Sequence, residues 1–369
     1  MIISDDAKKV MDLTCELVRF RSTASRPDEV HACADFIAER IAALGVTPER
    51  FEFDGVPSVA ALPKHGHAPV LLMAHFDVVE AESDEQFAPY IDNERLYGRG
   101  CVDDKYGVAL ALVLFEKHLN ALRAAGGSLE NLPFGILFTC DEEQGGHLGA
   151  AKVLERISTD FCIALDGGTP DSIITKGKGV LDLRLIAQGR PAHGARPWLG
   201  ENAFDTFIED YAALKALFPP TTDDQWQRTM NMGIVRVGGA TPNKVPGKAE
   251  GVLDIRYTEN DDVDALLTSM KARVKGSIEV MAREPLFFAG ESPYLDLLLE
   301  TVPEAATAHM HGASDARFLS ANGIPAVVWG ADSEMSQHGP EEHVTLASLD
   351  AITARLDTYL AALARHARQ

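Results

Sequence analysis

The sequence has a shortage of positive charge, and this shortage excludes one large class of function. Lys and Arg number 34 against 55 Asp and Glu, which gives a formal net charge of −21. Nucleic-acid binding needs clustered Lys and Arg, and an acidic surface repels anionic lipid. We therefore expect no nucleic-acid partner and no membrane partner.

Other absences limit the class of protein further. No apolar run approaches the length that spans a membrane, and the N-terminus lacks the basic and apolar regions of a signal peptide. The cysteines are odd in number and form no CxxC pair, which favours small core residues in a reducing compartment over a disulfide framework. They are Cys15, Cys33, Cys101, Cys140 and Cys162. The sequence thus predicts a cytoplasmic protein.

Chain length and apolar content predict a well-packed core. The 369 residues, 46% of them hydrophobic, suffice for two domains or for one domain with a large insertion. Helical stretches alternate with apolar runs of strand length at 70–74, 134–140, 161–165 and 326–329. None of these runs alternates polar with apolar residues, as expected of strands that are buried on both faces. The pattern predicts an α/β fold with a mainly parallel sheet flanked by helices.

The middle of the chain follows a different pattern. The runs VLDLRLIAQG (180–189) and GVLDIRYTEN (251–260) alternate, and helical stretches are expected near 203–217 and 263–274. This combination is typical of a smaller α+β domain with an antiparallel sheet. We therefore predict an inserted domain at 176–285, with 1–175 and 286–369 forming the larger domain.

Residues that can bind a metal follow each of the four apolar runs. They are His75 and Asp77 after the first run, Asp141, Glu142 and Glu143 after the second, Asp166 after the third, and His338 a short loop beyond the fourth. Because ligand sites of open α/β sheets form beyond the carboxyl ends of the strands, these side chains are expected at one edge of one sheet. A further acidic pair, Asp103-Asp104, lies in the glycine-flanked loop GRGCVDDKYG.

Such a cluster requires cations, because neighbouring carboxylates raise one another's pKa and could not all stay ionised. Two His residues with several carboxylates suit zinc, manganese or cobalt. Five ligands are too many for one tetrahedral zinc ion with an open position. The sequence therefore predicts two divalent metal ions that share a bridging carboxylate, with zinc expected and cobalt or manganese as alternatives.

Seven segments resemble the cocatalytic dizinc deacylase and exopeptidase family, which includes acetylornithine deacetylase, succinyl-diaminopimelate desuccinylase, carboxypeptidase G and tripeptidase. The segments are MAHFDVV, LYGRGCVDDKYG, TCDEEQGG, ALDGG, GRPAHGARPWLGENA, GASDARF and QHGPEEHV. Each segment alone is weak evidence. Their occurrence in the family's order over nearly the whole chain makes the resemblance specific.

The resemblance implies a role for each metal-type residue. His75, Asp103 and Asp166 would hold the first ion, and Asp103, Glu143 and His338 the second, with Asp103 as the bridge. Asp77 would orient His75, and the Asp103–Asp104 peptide bond would be cis. Glu142 would be the general base that activates a metal-bridging water.

The inserted domain has implied roles as well. In the family it is a lid and dimerisation domain, so a homodimer is expected, and His193 would stabilise the oxyanion from the partner subunit. Asn243 and Arg317 match positions that bind substrate, Arg317 through a carboxylate. Arg256 aligns with a recurring Arg to which we assign no role.

Plainer interpretations stay open for several of these residues. Glu142 and Glu143 could form a solvated acidic loop, Asp166 could end a strand, His193 could be an ordinary loop residue, and Arg317 could pair with Asp315. His309, His311 and His343 lie near His338, which is preferred because Glu342 sits four residues on, as in the family's closing HxxxE pattern. Two departures from the family, the segment HGARP that begins at His193 and a Tyr at 106, could alter the choice of substrate.

The leading hypothesis is a hydrolase with two metal ions that cleaves the amide bond of a small N-acyl amino acid or a short peptide with a free carboxylate. The alternative is a catalytically silent metal-binding module that regulates or binds. Every ligand position and the base position are filled, which favours the enzyme. Phosphate-ester hydrolysis ranks lower, because the chain has no glycine-rich phosphate cradle.

Overall fold

The computed structural model describes residues 2–220, 225–239 and 241–366, which fall into two units. The larger unit contains the described parts of Met1–Lys176, Phe287–Met310 and Ser314–Gln369. The smaller unit contains the described parts of Gly177–Leu286 together with His311–Ala313. The insertion predicted at 176–285 did not include His311–Ala313, which is distant in sequence but belongs to the smaller unit.

The strands and helices follow in chain order. The strands are β1 (Glu49–Phe53), β2 (Val56–Ala61), β3 (His67–His75), β4 (Tyr90–Asp92), β5 (Arg95–Tyr97), β6 (Phe134–Thr139), β7 (Ser158–Ala164), β8 (Ser172–Gly177), β9 (Gly179–Gln188), β10 (Thr229–Val237), β11 (Lys248–Tyr257), β12 (Ser277–Glu284), β13 (Phe287–Phe288), β14 (Ala306–Met310), β15 (Ala326–Val328) and β16 (His343–Thr345). The α-helices are α1 (Asp5–Val18), α2 (Pro27–Ala43), α3 (Lys105–Ala124), α4 (Ala150–Val153), α5 (Ala203–Lys215), α6 (Val263–Arg273), α7 (Pro293–Thr301), α8 (Ala316–Ala321) and α9 (Leu346–His366).

The main sheet of the larger unit is mixed, with a parallel centre. Its strand order is β1-β2-β6-β3-β7-β15-β8-β13, with β14 beside β8. The central strands β6, β3, β7 and β15 are parallel and contain the four predicted apolar runs. The α/β class with a mainly parallel sheet is thereby confirmed. The sequence did not predict that β1, β2 and β8 extend this centre by antiparallel pairing.

The apolar runs are continuous because both faces of the sheet are covered. In β3, Val70 and Leu72 belong to a core that includes α1, α2, α3 and α9, while Leu71 and Met73 belong to a second core on the opposite face. Successive strand side chains point to opposite faces, so a strand between two helical layers needs an apolar residue at every position.

Helix boundaries follow local capping chemistry. Ser4 accepts a hydrogen bond from the Ala7 N–H at the start of α1, and Ser292 caps α7, whose first residue is Pro293. These residues satisfy backbone groups that the first helical turn leaves unpaired. No helix in the described part of the chain is long and apolar enough to cross a membrane.

The smaller unit has the predicted α+β pattern. Its sheet is antiparallel, in the order β10-β11-β9-β12. Phe207 and Leu214 of α5 and Met270 of α6 pack into one core with Leu183 and Leu253 of the sheet. One face of the sheet is thus covered by helices, which explains the alternation along β9 and β11.

Candidate metal centre and catalytic site

Metal-type side chains converge at the carboxyl edge of the parallel strands. His75 ends β3, and in the strand register it faces Thr139, the last residue of β6. Two groups of side chains could each hold a metal ion, because the donor atoms within each group all lie within 4.8 Å of one another. The first group is His75, Asp103 and Asp166, and the second is Asp103, Glu143 and His338. Because Asp103 belongs to both, the structure brings the five predicted ligands into a single cluster.

Asp103 lies between the two His rings. His75 Nε2 is 3.0 Å from Asp103 Oδ1, and His338 Nε2 is 3.0 Å from Asp103 Oδ2. Each carboxylate oxygen therefore faces a different imidazole, which is the arrangement that a bridging carboxylate requires. His338 Nε2 also lies 3.2 Å from Glu143 Oε2. The Asp103–Asp104 peptide bond is cis, as the resemblance implied.

Asp77 orients His75 and also the loop after β6. His75 Nδ1 lies 3.0 Å from the Asp77 backbone carbonyl and 3.5 Å from Asp77 Oδ1. A carbonyl oxygen only accepts, so Nδ1 carries the proton and Nε2 is left as the ligand atom. The Asp77 carboxylate also accepts from the backbone N–H groups of Glu142 and Glu143, at 3.3 and 3.2 Å.

Internal hydrogen bonds stabilise the loop that carries Glu142 and Glu143. Asp141 has a φ of 72°, and its carboxylate accepts from the N–H groups of Leu148 and Gly149, both at 2.8 Å. Gly146 is also in the left-handed region, and a Cβ there would lie 2.0 Å from Asp315 Oδ1. Only glycine fits at that position. Glu142 is held where it lines one small cavity with His75 and Asp166.

Electrostatics in the cluster follow from burial and like charge. Burial raises the pKa of the Asp166 carboxyl well above its ordinary value, and the charges of Glu142 and Asp103 raise it further. Burial likewise raises the pKa of Glu142, with added repulsion from Asp315 and Asp103. Hydrogen bonds to Asp103 and Glu143 raise the pKa of His338 to about 10. The cluster thus holds more negative charge than its surroundings compensate.

The residues present fit divalent metal ions. Glu143 Oε1 is buried and has no hydrogen-bond partner among the described residues, although a buried carboxylate oxygen ordinarily needs one. The donors are imidazole nitrogens and carboxylate oxygens, a set that suits zinc, manganese or cobalt. Cations there would neutralise the carboxylates and give Glu143 Oε1 a partner.

The Arg317 side chain is buried, whereas a residue that binds substrate from the surface would be exposed. Its side chain is only 4% exposed, and Nη2 donates to the Gly145 carbonyl at 2.6 Å. The guanidinium stacks on Phe318 and lies 3.6 Å from Asp315 Oδ1. These contacts hold the glycine turn that follows Glu143. Binding of a substrate carboxylate by Arg317 stays a prediction.

The smaller unit brings His193 and Asn243 together. The Gly194 N–H donates to the Asn243 carbonyl at 2.7 Å, and His193 pairs with Lys244 through the backbone. The Ala195 N–H donates to His193 Nδ1 at 3.1 Å, so the ring proton resides on Nε2 in the neutral form. Both side chains are exposed. Their predicted roles towards substrate stay predictions.

Tyr106 is a residue whose role sequence reasoning missed. It is fully buried, so it lies in the core and does not line a substrate pocket. Its hydroxyl donates to the Leu165 carbonyl, next to Asp166, and accepts from the Ala331 N–H at 2.8 Å. Tyr106 therefore joins the segments that follow β7 and β15. The sequence signal for a buried role was the position of Tyr106 in the apolar first turns of α3.

Tyr106→Phe is expected to lower the free energy of unfolding by about 1–3 kcal/mol, because the buried Ala331 N–H loses its partner and the Leu165 carbonyl keeps, among the described residues, only the Gly167 N–H. Urea unfolding followed by circular dichroism measures the change. Tyr359→Phe is the matched control, since its buried hydroxyl makes one longer bond of 3.3 Å to the Tyr294 carbonyl. Equal losses in the two variants would contradict a bridging role for Tyr106.

Comparisons with known proteins give matches over most of the chain. The family model described as peptidase family M20/M25/M40 matches residues 71–365. The succinyl-diaminopimelate desuccinylase of Xanthomonas oryzae pv. oryzae is 29% identical, with 95% of this chain and 98% of that protein covered. The enzyme of the same name from Xylella fastidiosa is 28% identical, with 93% and 96% covered.

Solved structures share the fold. A tripeptidase from Staphylococcus aureus has a TM-score of 0.77 at 19% identity, with 99% of this chain and 100% of that chain covered. An M20 family metallo-carboxypeptidase from Sulfolobus solfataricus has a TM-score of 0.76 at 17% identity, with 98% and 100% covered. At these identities the likeness concerns the fold, including the smaller antiparallel unit.

Proposed function

This chain belongs to peptidase family M20/M25/M40, and from that premise we propose that it is a deacylase of small N-acyl amino acids with Glu142 as general base. Family membership makes it a metal-dependent amidohydrolase and confirms the resemblance seen in the seven segments. The observation that carries the proposal is the pair of donor groups that share Asp103, with Glu142 beside them.

Two ions would be held by the two donor groups. His75, Asp103 and Asp166 would bind the first, and Asp103, Glu143 and His338 the second. When bound, such ions lower the pKa of water and polarise the scissile carbonyl. Asp77 keeps His75 Nε2 directed at the first position, because its backbone carbonyl accepts a hydrogen bond from Nδ1–H.

Glu142 would move the proton. It belongs to neither donor group, so its carboxylate is available to accept a proton from the attacking water and to pass it to the departing amine. Burial raises the pKa of the Glu142 carboxyl, which favours uptake of a proton from the attacking water. The backbone bonds to Asp77 fix the loop from which it acts.

The substrate class follows from the relatives and from one cationic surface. Relatives with nearly full-length coverage are desuccinylases, which by name remove a dicarboxylic acyl group. In the smaller unit, exposed Arg196 and Lys244 flank His193 and Asn243, and the Arg196 N–H donates to the His193 carbonyl at 2.8 Å. In a chain of net charge −21, cations on these segments favour an anionic substrate. We therefore propose an N-acyl amino acid whose acyl group bears a carboxylate.

Homodimerisation is part of the proposal. If His193 acts from the partner subunit, each active site is complete only in a dimer. Exposed apolar side chains on α5 and β10 of the smaller unit, such as Ile208, Ile234 and Val235, support an interface there.

A paired-substrate assay tests the proposed reaction. Zinc-, cobalt- and manganese-loaded protein is given N-succinyl and N-butyryl derivatives of the same amino acids, with dipeptides and tripeptides, and free amine is measured. The N-succinyl compounds are expected to have a kcat/KM about 10–100-fold higher than the N-butyryl compounds, because a charge-assisted hydrogen bond is worth about 1.5–3 kcal/mol. The butyryl group has the same length and lacks only the carboxylate.

Other outcomes of this assay are equally informative. Turnover of tripeptides with no turnover of N-acyl compounds would replace the deacylase with an exopeptidase. Silence towards all substrates, with metal bound, would favour the non-catalytic module. Full activity in monomer fractions from size-exclusion chromatography would rule out the shared site.

A further inference from the structure

Arg99 and Glu342 form a buried ion pair beside the metal centre. They are 243 residues apart in the chain, and Arg99 Nη1 donates to Glu342 Oε2. Their side chains are 2% and 1% exposed. A buried pair of charges costs desolvation energy, so it is weak evidence for stability and calls for another explanation.

Glu342 holds the loop that leads to Asp103. Its Oε1 accepts from the N–H groups of Gly100 and Val102, at 2.8 and 3.4 Å. Its backbone carbonyl accepts from the Gly98 N–H at 3.0 Å. Gly100 has a φ of 81°, and a Cβ there would lie 2.4 Å from Val78 Cγ1, so the loop packs closely against the segment after His75. The Glu342 carboxylate therefore fixes the backbone that leads to Asp103.

Arg99 holds the backbone of His338. Its Nη2 donates to the His338 carbonyl at 3.1 Å. His338 has a φ of 63°, an uncommon conformation for a residue with a side chain. Its side chain is 55% exposed, so packing does little to fix the ring. The hydrogen bond from Arg99 is thus an important constraint on where His338 Nε2 lies.

We infer that the Arg99–Glu342 pair is a positioning device that sets His338 against Asp103 and so defines the second metal position. This inference rests on the proposed metal centre. One partner holds the loop of Asp103 and the other holds His338, and the ion pair joins the two. The first position depends on it less, because His75 and Asp166 lie at the ends of strands of the main sheet.

Metal titration tests this role without any substrate. Metal-free protein is titrated with Co²⁺ by calorimetry and visible absorption, and bound metal is counted by elemental analysis. His338→Ala and Asp166→Ala serve as references for loss of the second and first positions. Glu342→Gln is expected to weaken the second position about 10–100-fold, the usual effect of removing a group that orients a ligand, and to retain the first. Arg99→Lys keeps the charge but loses the two-pronged geometry, so it should weaken the same position.

A double-mutant cycle separates positioning from general stability. If Arg99 acts through His338, adding Arg99→Lys to His338→Ala should leave the affinity of the remaining position unchanged. Asp261→Asn is the control, because it breaks an Arg–carboxylate pair within the smaller unit, Arg228 Nη1 to Asp261 Oδ1 at 2.6 Å, in which Asp261 is buried and Arg228 is partly exposed. It should leave both metal affinities unchanged. Circular dichroism establishes that each variant is folded.

Defined outcomes would overturn the inference. Equal weakening of both positions by Glu342→Gln would do so, as would a further loss in the His338→Ala background or unchanged binding in both Glu342→Gln and Arg99→Lys. Wild-type protein that binds two Co²⁺ ions but cleaves no amide would overturn the proposed function and leave the positioning role intact. Uptake of fewer than two ions by the wild-type protein would overturn both.

Discussion

Glu142→Gln is expected to lower kcat by about 10²–10⁴-fold while the protein keeps its metal ions, because general acid–base catalysis contributes a factor of that size. Glu142 is absent from both donor groups, whereas its neighbour Glu143 belongs to one of them. The amide side chain has nearly the same shape as the carboxyl but cannot take up a proton from water. Steady-state kinetics on an N-succinyl amino acid, with metal counted in the same sample, measures the effect.

The neighbouring residues provide the controls for this result. Glu143→Gln should lose metal affinity together with activity, since its carboxylate faces His338. Glu155→Gln changes an exposed glutamate that pairs with Lys152, so kcat should stay within about twofold of wild type. A Glu142→Gln variant with more than a tenth of wild-type kcat would exclude Glu142 as the base, and loss of metal in that variant would make it a ligand.

Asp103→Ala is expected to abolish binding of both ions and to lower kcat/KM by about 10³-fold or more. Metal ions supply several kcal/mol of transition-state stabilisation, and about 1.4 kcal/mol corresponds to a factor of ten in rate. Removal of Asp103 affects both donor groups because the two His rings contact its opposite carboxylate oxygens. Elemental analysis after dialysis and the deacylase assay measure the two losses.

His343→Ala is the control for Asp103→Ala. His343 lies five residues after His338, but its Nε2 contacts Glu334 Oε2 at 3.0 Å and it belongs to neither donor group. The His343→Ala variant should therefore bind two ions, as the wild-type protein does. Chelation of wild-type protein should reproduce the loss of activity, and added Zn²⁺ should restore it. Activity that survives complete removal of metal would refute a metal-dependent reaction.

Most of the catalytic unit could be predicted from local pattern. The continuous apolar runs predicted buried parallel strands, and parallel strands present their carboxyl ends at one edge. Once His75, Glu143 and Asp166 each followed such a run, their convergence needed no tertiary information. Helix α7 was predictable for a similar reason, because Ser292 and Pro293 are adjacent in sequence and act on the same turn.

Sequence pattern could not distinguish residues whose role depends on the direction in which the side chain points. His338 and His343 are both close to the fourth strand, and the choice between them rested on the resemblance. In the structure their backbones direct one ring to Asp103 and the other to Glu334. Arg317 was expected to bind a substrate carboxylate, which stays a prediction, and the motif gave no indication that its guanidinium donates to the Gly145 carbonyl. A motif specifies residue types and spacing, whereas orientation depends on the whole local backbone.

The sequence by itself determined the α/β class and the alternating middle region, because each depends on neighbours within a few positions, and it supplied the candidate donor residues as a prediction. Only the tertiary structure decided the antiparallel edges of the sheet, the passage of His311–Ala313 into the smaller unit, and the Arg99–Glu342 and Tyr106–Ala331 contacts. These last contacts join residues 243 and 225 positions apart. No local periodicity records such a pairing, since it exists only when independently formed strands and loops pack together.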